Sequence, residues 1–208
     1  MIEAVIWDFG GVISSSPFEA FNRYEAERGL PKDFLRTVNA TNHLDNAWAK
    51  FERNEIDLDA FDRMFAEESR ALGHEVPGRD MIDLLGGDLR PEMVEALRRI
   101  SARLKTGCIT NNVIAAASDN PRSIYKAEVM ALFHEVIESA KIGMRKPDPR
   151  IYALMTGRLG VDPARCVYLD DLGVNLKPAR EMGMTTIKVI DPAAALDELE
   201  RAVGFALR

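Results

Sequence analysis

Apolar residues fall into two patterns along this chain. Five short runs are continuously apolar or β-branched and end in polar or glycine-rich residues: Ala4–Trp7, Gly107–Ile109, Glu135–Ile137, Cys166–Leu169 and Thr185–Ile190. Unbroken rather than alternating apolar character predicts strands buried on both faces, as in a parallel sheet. Between the runs, apolar residues recur at helical spacing. Pro91 opens one helix with Met93, Val94, Leu97 and Ile100 on one face; Pro149 opens another with Ile151, Leu154, Met155 and Leu159, closed by Gly160. Asp191-Pro192 reads as an N-cap and first helical residue leading into Leu196 and Leu199. Strands alternating with helices predict βαβ units and a doubly wound parallel sheet, an α/β fold.

Residues 15–86 break that rhythm. No strand pattern occurs there, and helical stripes take over: Phe18, Phe21 and Tyr24 in one, Leu58, Phe61, Met64 and Phe65 in another. The stretch closes at Leu84-Leu85-Gly86-Gly87, after which strand–helix alternation resumes. The expected organisation is a core of residues 1–14 and 87–208, with a small helical cap, residues 15–86, inserted after the first strand.

Composition narrows the function. With 208 residues the chain buries a sizeable core and leaves room for such an insertion. The net charge is −6 and the basic residues are scattered, whereas a nucleic-acid partner calls for a positive face. No apolar run is long enough to cross a bilayer. Met1–Trp7 is too short for a signal peptide and lacks a basic leader. Cys108 and Cys166 each sit inside an apolar run without metal-ligand spacing, which predicts buried thiols. A cytoplasmic location, with neither nucleic-acid nor membrane partner, is the expectation.

In an open parallel sheet, ligands bind beyond the carboxyl ends of the strands at the switch point. The residues that follow the strands therefore carry the chemistry. Asp8-Phe9-Gly10-Gly11 follows the first, Thr110-Asn111-Asn112 the second, Arg145-Lys146-Pro147 comes shortly after the third, and Asp170-Asp171 with Asn175 follows the fourth. Any one of these alone reads as a tight turn, a helix start or a solvated charge. Together, in order, they bring carboxylates, a hydroxyl, amides and a lysine to one edge. That set suits phosphoryl transfer. Asp8 attacks phosphorus, and Asp8 and Asp171 share Mg2+, a hard cation that takes oxygen ligands. Lys146 neutralises phosphate charge, Thr110 and the loop amides, Asn111 among them, donate to phosphoryl oxygens, and Gly10 and Gly11 admit the phosphate close to the backbone.

On these residues the chain resembles the haloacid dehalogenase superfamily, whose four motifs match Asp8, Thr110, Lys146 and Asp170-Asp171. Glu138–Tyr152 and Val167–Gly183 are similar to the N-terminal phosphatase domain of soluble epoxide hydrolases and to related bacterial phosphatases. The resemblance implies a Rossmann-like core with a helical cap, and a phosphatase acting on a small phosphorylated substrate. It implies Mg2+ ligands at Asp8, Asp171 and the Gly10 carbonyl, with Asp170 close by or acting through water. It also implies that Asn175 stands where an acid often follows the metal aspartate. His43 and Trp48 are the cap residues expected to wall the substrate.

One departure stands out. Family phosphatases usually carry a second aspartate, the general acid–base, where this chain has Gly10. That keeps two alternatives in view: a non-catalytic phosphate-ligand or protein-binding module, and a carbon-centred hydrolase of phosphonatase or dehalogenase type, for which Lys50 is a conceivable imine-forming residue.

Overall fold

The computed structural model describes residues 1–113 and 121–208, the side chains of 121–123 excepted. Five strands, β1 (Ala4–Trp7), β2 (Lys105–Thr110), β3 (Glu135–Glu138), β4 (Cys166–Asp170) and β5 (Thr185–Lys188), form one sheet in the order β3-β2-β1-β4-β5, with every neighbouring pair parallel. The chain leaves β1 for β2 and β3 on one side, then returns to β4 and β5 on the other. The switch point therefore lies between β1 and β4. Alternation along the central strands sends Val5, Trp7, Val167 and Leu169 into one layer, under α6 (Pro91–Ser101), α7 (Pro121–Met130) and α11 (Pro192–Val203). Ala4, Ile6, Cys166 and Tyr168 point into the other, under α9 (Pro149–Leu159) and α10 (Gly173–Glu181).

Both-face burial holds for β1 and β4 and not for the outer strands. β3 and β5 bury one residue each, Ile137 and Ile187, because the helical layers do not reach fully over the sheet's edges. β5 also stops at Lys188, leaving Ile190 exposed. β2 starts before its apolar run, since Thr106 hides its hydroxyl against the His134 ring at 2.8 Å. The helix ends follow the sequence signals. Pro91, Pro149 and Pro192 each open a helix, the Asp148 and Asp191 carboxylates accept from Arg150 N and Ala194 N, and Gly160 closes α9 in the left-handed region.

Between β1 and α6 stand α1 (Pro17–Arg28), α2 (Phe34–Ala40), α3 (Ala47–Glu52), α4 (Leu58–Ala71) and α5 (Gly78–Asp83), packed around a core of their own. Phe21, Leu35, Phe61, Phe65 and Met81 are buried in it, and Phe51 stacks on Phe61 with ring centroids 4.5 Å apart. Phe18, Tyr24 and Met64 reach it from the rim, whereas Leu58 stays exposed at the start of α4. Glu25 is buried with both carboxylate oxygens spent, accepting from Asp33 N and Leu35 N at 2.9 Å, so α1 caps α2. Two connecting segments tie this helical unit to the sheet: Ser14 bridges Leu89, and Arg90 N donates to Ile13 O at 2.9 Å.

Candidate active site

β1 and β4 end level, with Trp7 opposite Leu169, so Asp8 and Asp170 emerge side by side at the switch point. Asp8 N donates to Leu169 O at 2.8 Å, and Phe9 N donates to Asp8 Oδ1 at 2.6 Å. The other Asp8 oxygen faces Lys146 Nζ at 2.8 Å. Lys146 arrives from the loop between α8 (Ser139–Ile142) and α9, with its side chain only 1% exposed, and the same Nζ lies 2.8 Å from Asp170 Oδ2. Asp170 is fully buried and saturated. Tyr168 OH donates to it at 2.5 Å, Leu172 N at 2.8 Å and Asn175 Nδ2 at 3.0 and 3.1 Å. Asp171 is more open, its Oδ2 accepting a long 3.4 Å bond from Ser16 Oγ.

Charge at this point is out of balance. One oxygen from each of Asp8, Asp170 and Asp171 lies within 4.8 Å of the others, against the single ammonium of Lys146. Burial pushes the Asp8 carboxyl well above the usual range, and although Lys146 pulls it down, Asp170 and Asp171 add to the rise. Burial and the Asp170 charge raise Asp171 to about 6. Burial works against the charged form of Lys146, but Asp170 and Asp8 more than offset it and hold the ammonium protonated. A carboxylate-oxygen cluster with surplus negative charge fits a hard divalent cation such as Mg2+. Asp171 keeps the freest oxygens, whereas those of Asp170 are largely committed to protein donors.

After Asp8 the backbone makes a single wide turn, closed by Ser14 N donating to Phe9 O at 3.0 Å. Gly11 there has φ +80°, and a Cβ on it would collide with the Asp171 carboxylate. That glycine is demanded twice over. Gly10 is different: its φ of −69° suits any residue, and a Cβ built on it meets nothing within 4 Å. Arg90 reaches back to this turn, donating from Nη1 to Gly11 O at 2.7 Å.

The remaining expected residues divide. Thr110 ends β2 half-buried, and its side chain makes no hydrogen bond among the described residues. Asn111 clamps the Lys146 backbone, accepting from Lys146 N at 2.8 Å and donating to Lys146 O at 3.1 Å. Asn175, in the first turn of α10, is buried with its amide donating to the Asp170 carboxylate. Trp48 packs edge-on against Phe61 and donates from Nε1 to Glu52 at 2.8 Å, so its ring belongs to the helical unit's core. His43 is exposed, and its backbone carbonyl accepts from Arg145 Nη1 at 2.8 Å. Lys50 lies 3.5 Å from the Asp45 carboxylate in a partly exposed pair.

Three participants, Tyr168, Tyr152 and Glu52, lie outside the residues expected from the sequence. Tyr168 shares a face with Asp170 by strand alternation, a signal present in the sequence. Tyr152 supports it edge-on at 5.4 Å and donates to Asn175 O at 2.7 Å. Glu52, at the end of α3, is buried, with Oε2 2.7 Å from Arg145 Nε. Burial raises the Glu52 carboxyl, while the Arg145 charge and the Trp48 hydrogen bond pull it back. Nothing local in the sequence announces the Glu52–Arg145 meeting.

Residues 2–183 match the haloacid dehalogenase-like hydrolase family. Over 98% of its length the chain is 33% identical to mouse acyl-CoA dehydrogenase family member 10 and 31% identical to mouse bifunctional epoxide hydrolase 2, of which it spans 19% and 39%. It is 38% identical over 98 residues, 47% of this chain and 42% of the relative, to phosphatase MT3486 of Mycobacterium tuberculosis. Among solved structures, a haloacid dehalogenase family enzyme from Bacteroides thetaiotaomicron, in complex with magnesium and inorganic phosphate, superposes with a TM-score of 0.59. That match covers 90% of this chain and 94% of the other at 19% identity, and it shows a shared fold.

Proposed function

The chain belongs to the haloacid dehalogenase-like hydrolases, and from that premise we propose that it is a magnesium-dependent phosphatase working through an aspartyl-phosphate on Asp8. The observation that carries the reading is the Lys146 ammonium held 2.8 Å from both Asp8 and Asp170 beside a third carboxylate at the switch point. Asp8 Oδ attacks phosphorus and the ester oxygen departs; water then attacks the acyl phosphate, releasing phosphate and restoring the carboxylate. Lys146 offsets charge on the nucleophile and the phosphoryl group, and Thr110 donates from the end of β2. Asp8, Asp171 and the Gly10 carbonyl would hold Mg2+, with Asp170 acting through its neighbours; when bound, the cation neutralises charge on the phosphoryl oxygens. The helical unit, residues 15–86, is the cap that walls the substrate, a small phosphorylated compound. The test is phosphate release from a panel of such compounds with Mg2+ and with excess chelator. Release that survives chelation defeats the metal assignment.

Gly10 shapes the reaction further. Among the described residues no acid lies within 4 Å of a Cβ built on Gly10 to protonate the departing oxygen, so anomeric, acyl or phenolic phosphates should be favoured over alkyl ones. Gly10→Asp has open space at its Cβ and should raise the rate on alkyl phosphates, approaching the general-acid contribution of about 10²–10⁴. A wild-type rate that does not vary with leaving-group pKa shows instead that another group supplies the proton.

A further inference from the structure

We infer that Arg145 is a positioning residue through which the seating of the cap sets the place of Lys146; its catalytic consequence rests on the phosphatase reading, while its mechanics do not. Among the described residues, Arg145–Glu52 is the ion pair that joins cap to core. Arg145 grips the cap at two points, His43 O in the turn before α3 and Glu52 at the end of α3. Glu52 is itself fixed by Trp48 Nε1 on its other oxygen. On the core side, Asp148 N donates to Arg145 O at 3.0 Å, closing a turn around Lys146 and Pro147, and Asn111 holds Lys146 by both backbone groups. The cap's anchor and the ammonium that bridges Asp8 and Asp170 therefore sit on adjacent residues.

Burial gives the pair its leverage. The two side chains are 19% and 8% exposed, so a cap that lost Arg145 would press an unpaired carboxylate onto the core. The approach is a charge contact and not an aligned hydrogen bond, since neither Arg145 Nε nor Glu52 Oε2 has an aligned partner. The directional link is the hydrogen bond from Arg145 Nη1 to His43 O at 2.8 Å, so a shift of the cap carries Arg145 with it. Cap seating and Lys146 placement become one event.

The experiment compares Arg145→Ala, Glu52→Gln and their double variant with the exposed cap control Arg70→Ala, using the full chain. On p-nitrophenyl phosphate, each single core–cap variant should lower kcat by about tenfold or more with a smaller change in KM, and the double should lose no more than the worse single. Multiplying losses would mean that the two residues act independently, which overturns the proposal. Amide hydrogen exchange reads the mechanics without turnover: residues 143–148 should exchange faster in Arg145→Ala and Glu52→Gln, and at the wild-type rate in Arg70→Ala. Unchanged exchange across 143–148 in the core–cap variants also overturns it. Glu52→Gln, close in shape, carries the test if Arg145→Ala does not fold. A wild type that hydrolyses nothing defeats the phosphatase reading alone, and the exchange arm still decides the positioning role.

Discussion

In the helical unit the ion pairs Arg70–Glu75 and Arg79–Asp62 lie at the surface around an aromatic core, each partner free to solvate if the other is lost. At the carboxyl edge of the sheet the arrangement is inverted. Lys146, Asp8 and Asp170 are buried together, and the Asn175 and Tyr168 side chains both donate to the Asp170 carboxylate. A surface pair lost costs little, because water replaces the partner. A buried partner lost leaves a charge with nothing to offset it. The first region builds shape, the second builds a fixed electric field.

The sharpest way to break that contrast is Lys146→Met. It keeps the stem and removes the charge, so metal-free protein should lose about 3–5 kcal/mol of stability near neutral pH in urea titrations, along with turnover. A cost under about 0.5 kcal/mol would show that the edge is no more demanding than the surface.

Metal comes next. Asp8 and Asp171 have pKa values raised by burial and mutual repulsion, Asp171 to about 6. The folded state thus binds protons more tightly than the unfolded one, and the Asp171 contribution to stability is full below about pH 4 and lost as pH rises through about 6. Mg2+ competes with those protons. Its stabilisation should be small at pH 4.5 and, at about 100 times its dissociation constant, reach about 2.7 kcal/mol near pH 7.5 in thermal melts. Equal melting shifts at both pH values would place the cation elsewhere.

Asn175→Ala sharpens the comparison from inside the network. Two bonds to a buried carboxylate disappear, and a loss of about 1–3 kcal/mol is expected, with weaker turnover and no change in substrate preference. A changed preference would return Asn175 to the substrate. At the small end, Arg70→Ala should stay within about 0.5 kcal/mol of wild type by chemical denaturation.

What could be read without coordinates follows the same division. That Asp8 and Asp170-Asp171 converge was legible because strand ends at a switch point meet whatever the side-chain details, whereas Lys146 reaches them from the loop between α8 and α9. The helix caps at Pro91, Asp148 and Asp191 are local signals and stood out equally well. The limited burial of β3 and β5 depends on which strands end up outermost, which a run of apolar residues does not encode. The direction in which Asn175 and Trp48 point depends on packing partners: Asp170 in one case, Phe61 and Glu52 in the other. Glu52 and Arg145 lie far apart in sequence, and their pairing exists only once the helical unit packs on the sheet's edge.

If Asp8 is the nucleophile, it carries a phosphoryl group during turnover. Acid quench in the course of hydrolysis of an acyl or aryl phosphate, followed by peptide mass spectrometry, detects it. One phosphoryl group is expected on Asp8 with Mg2+, and none with chelator or in Asp8→Asn. Phosphate release without any such adduct, or an adduct that persists in Asp8→Asn, would contradict that role for Asp8.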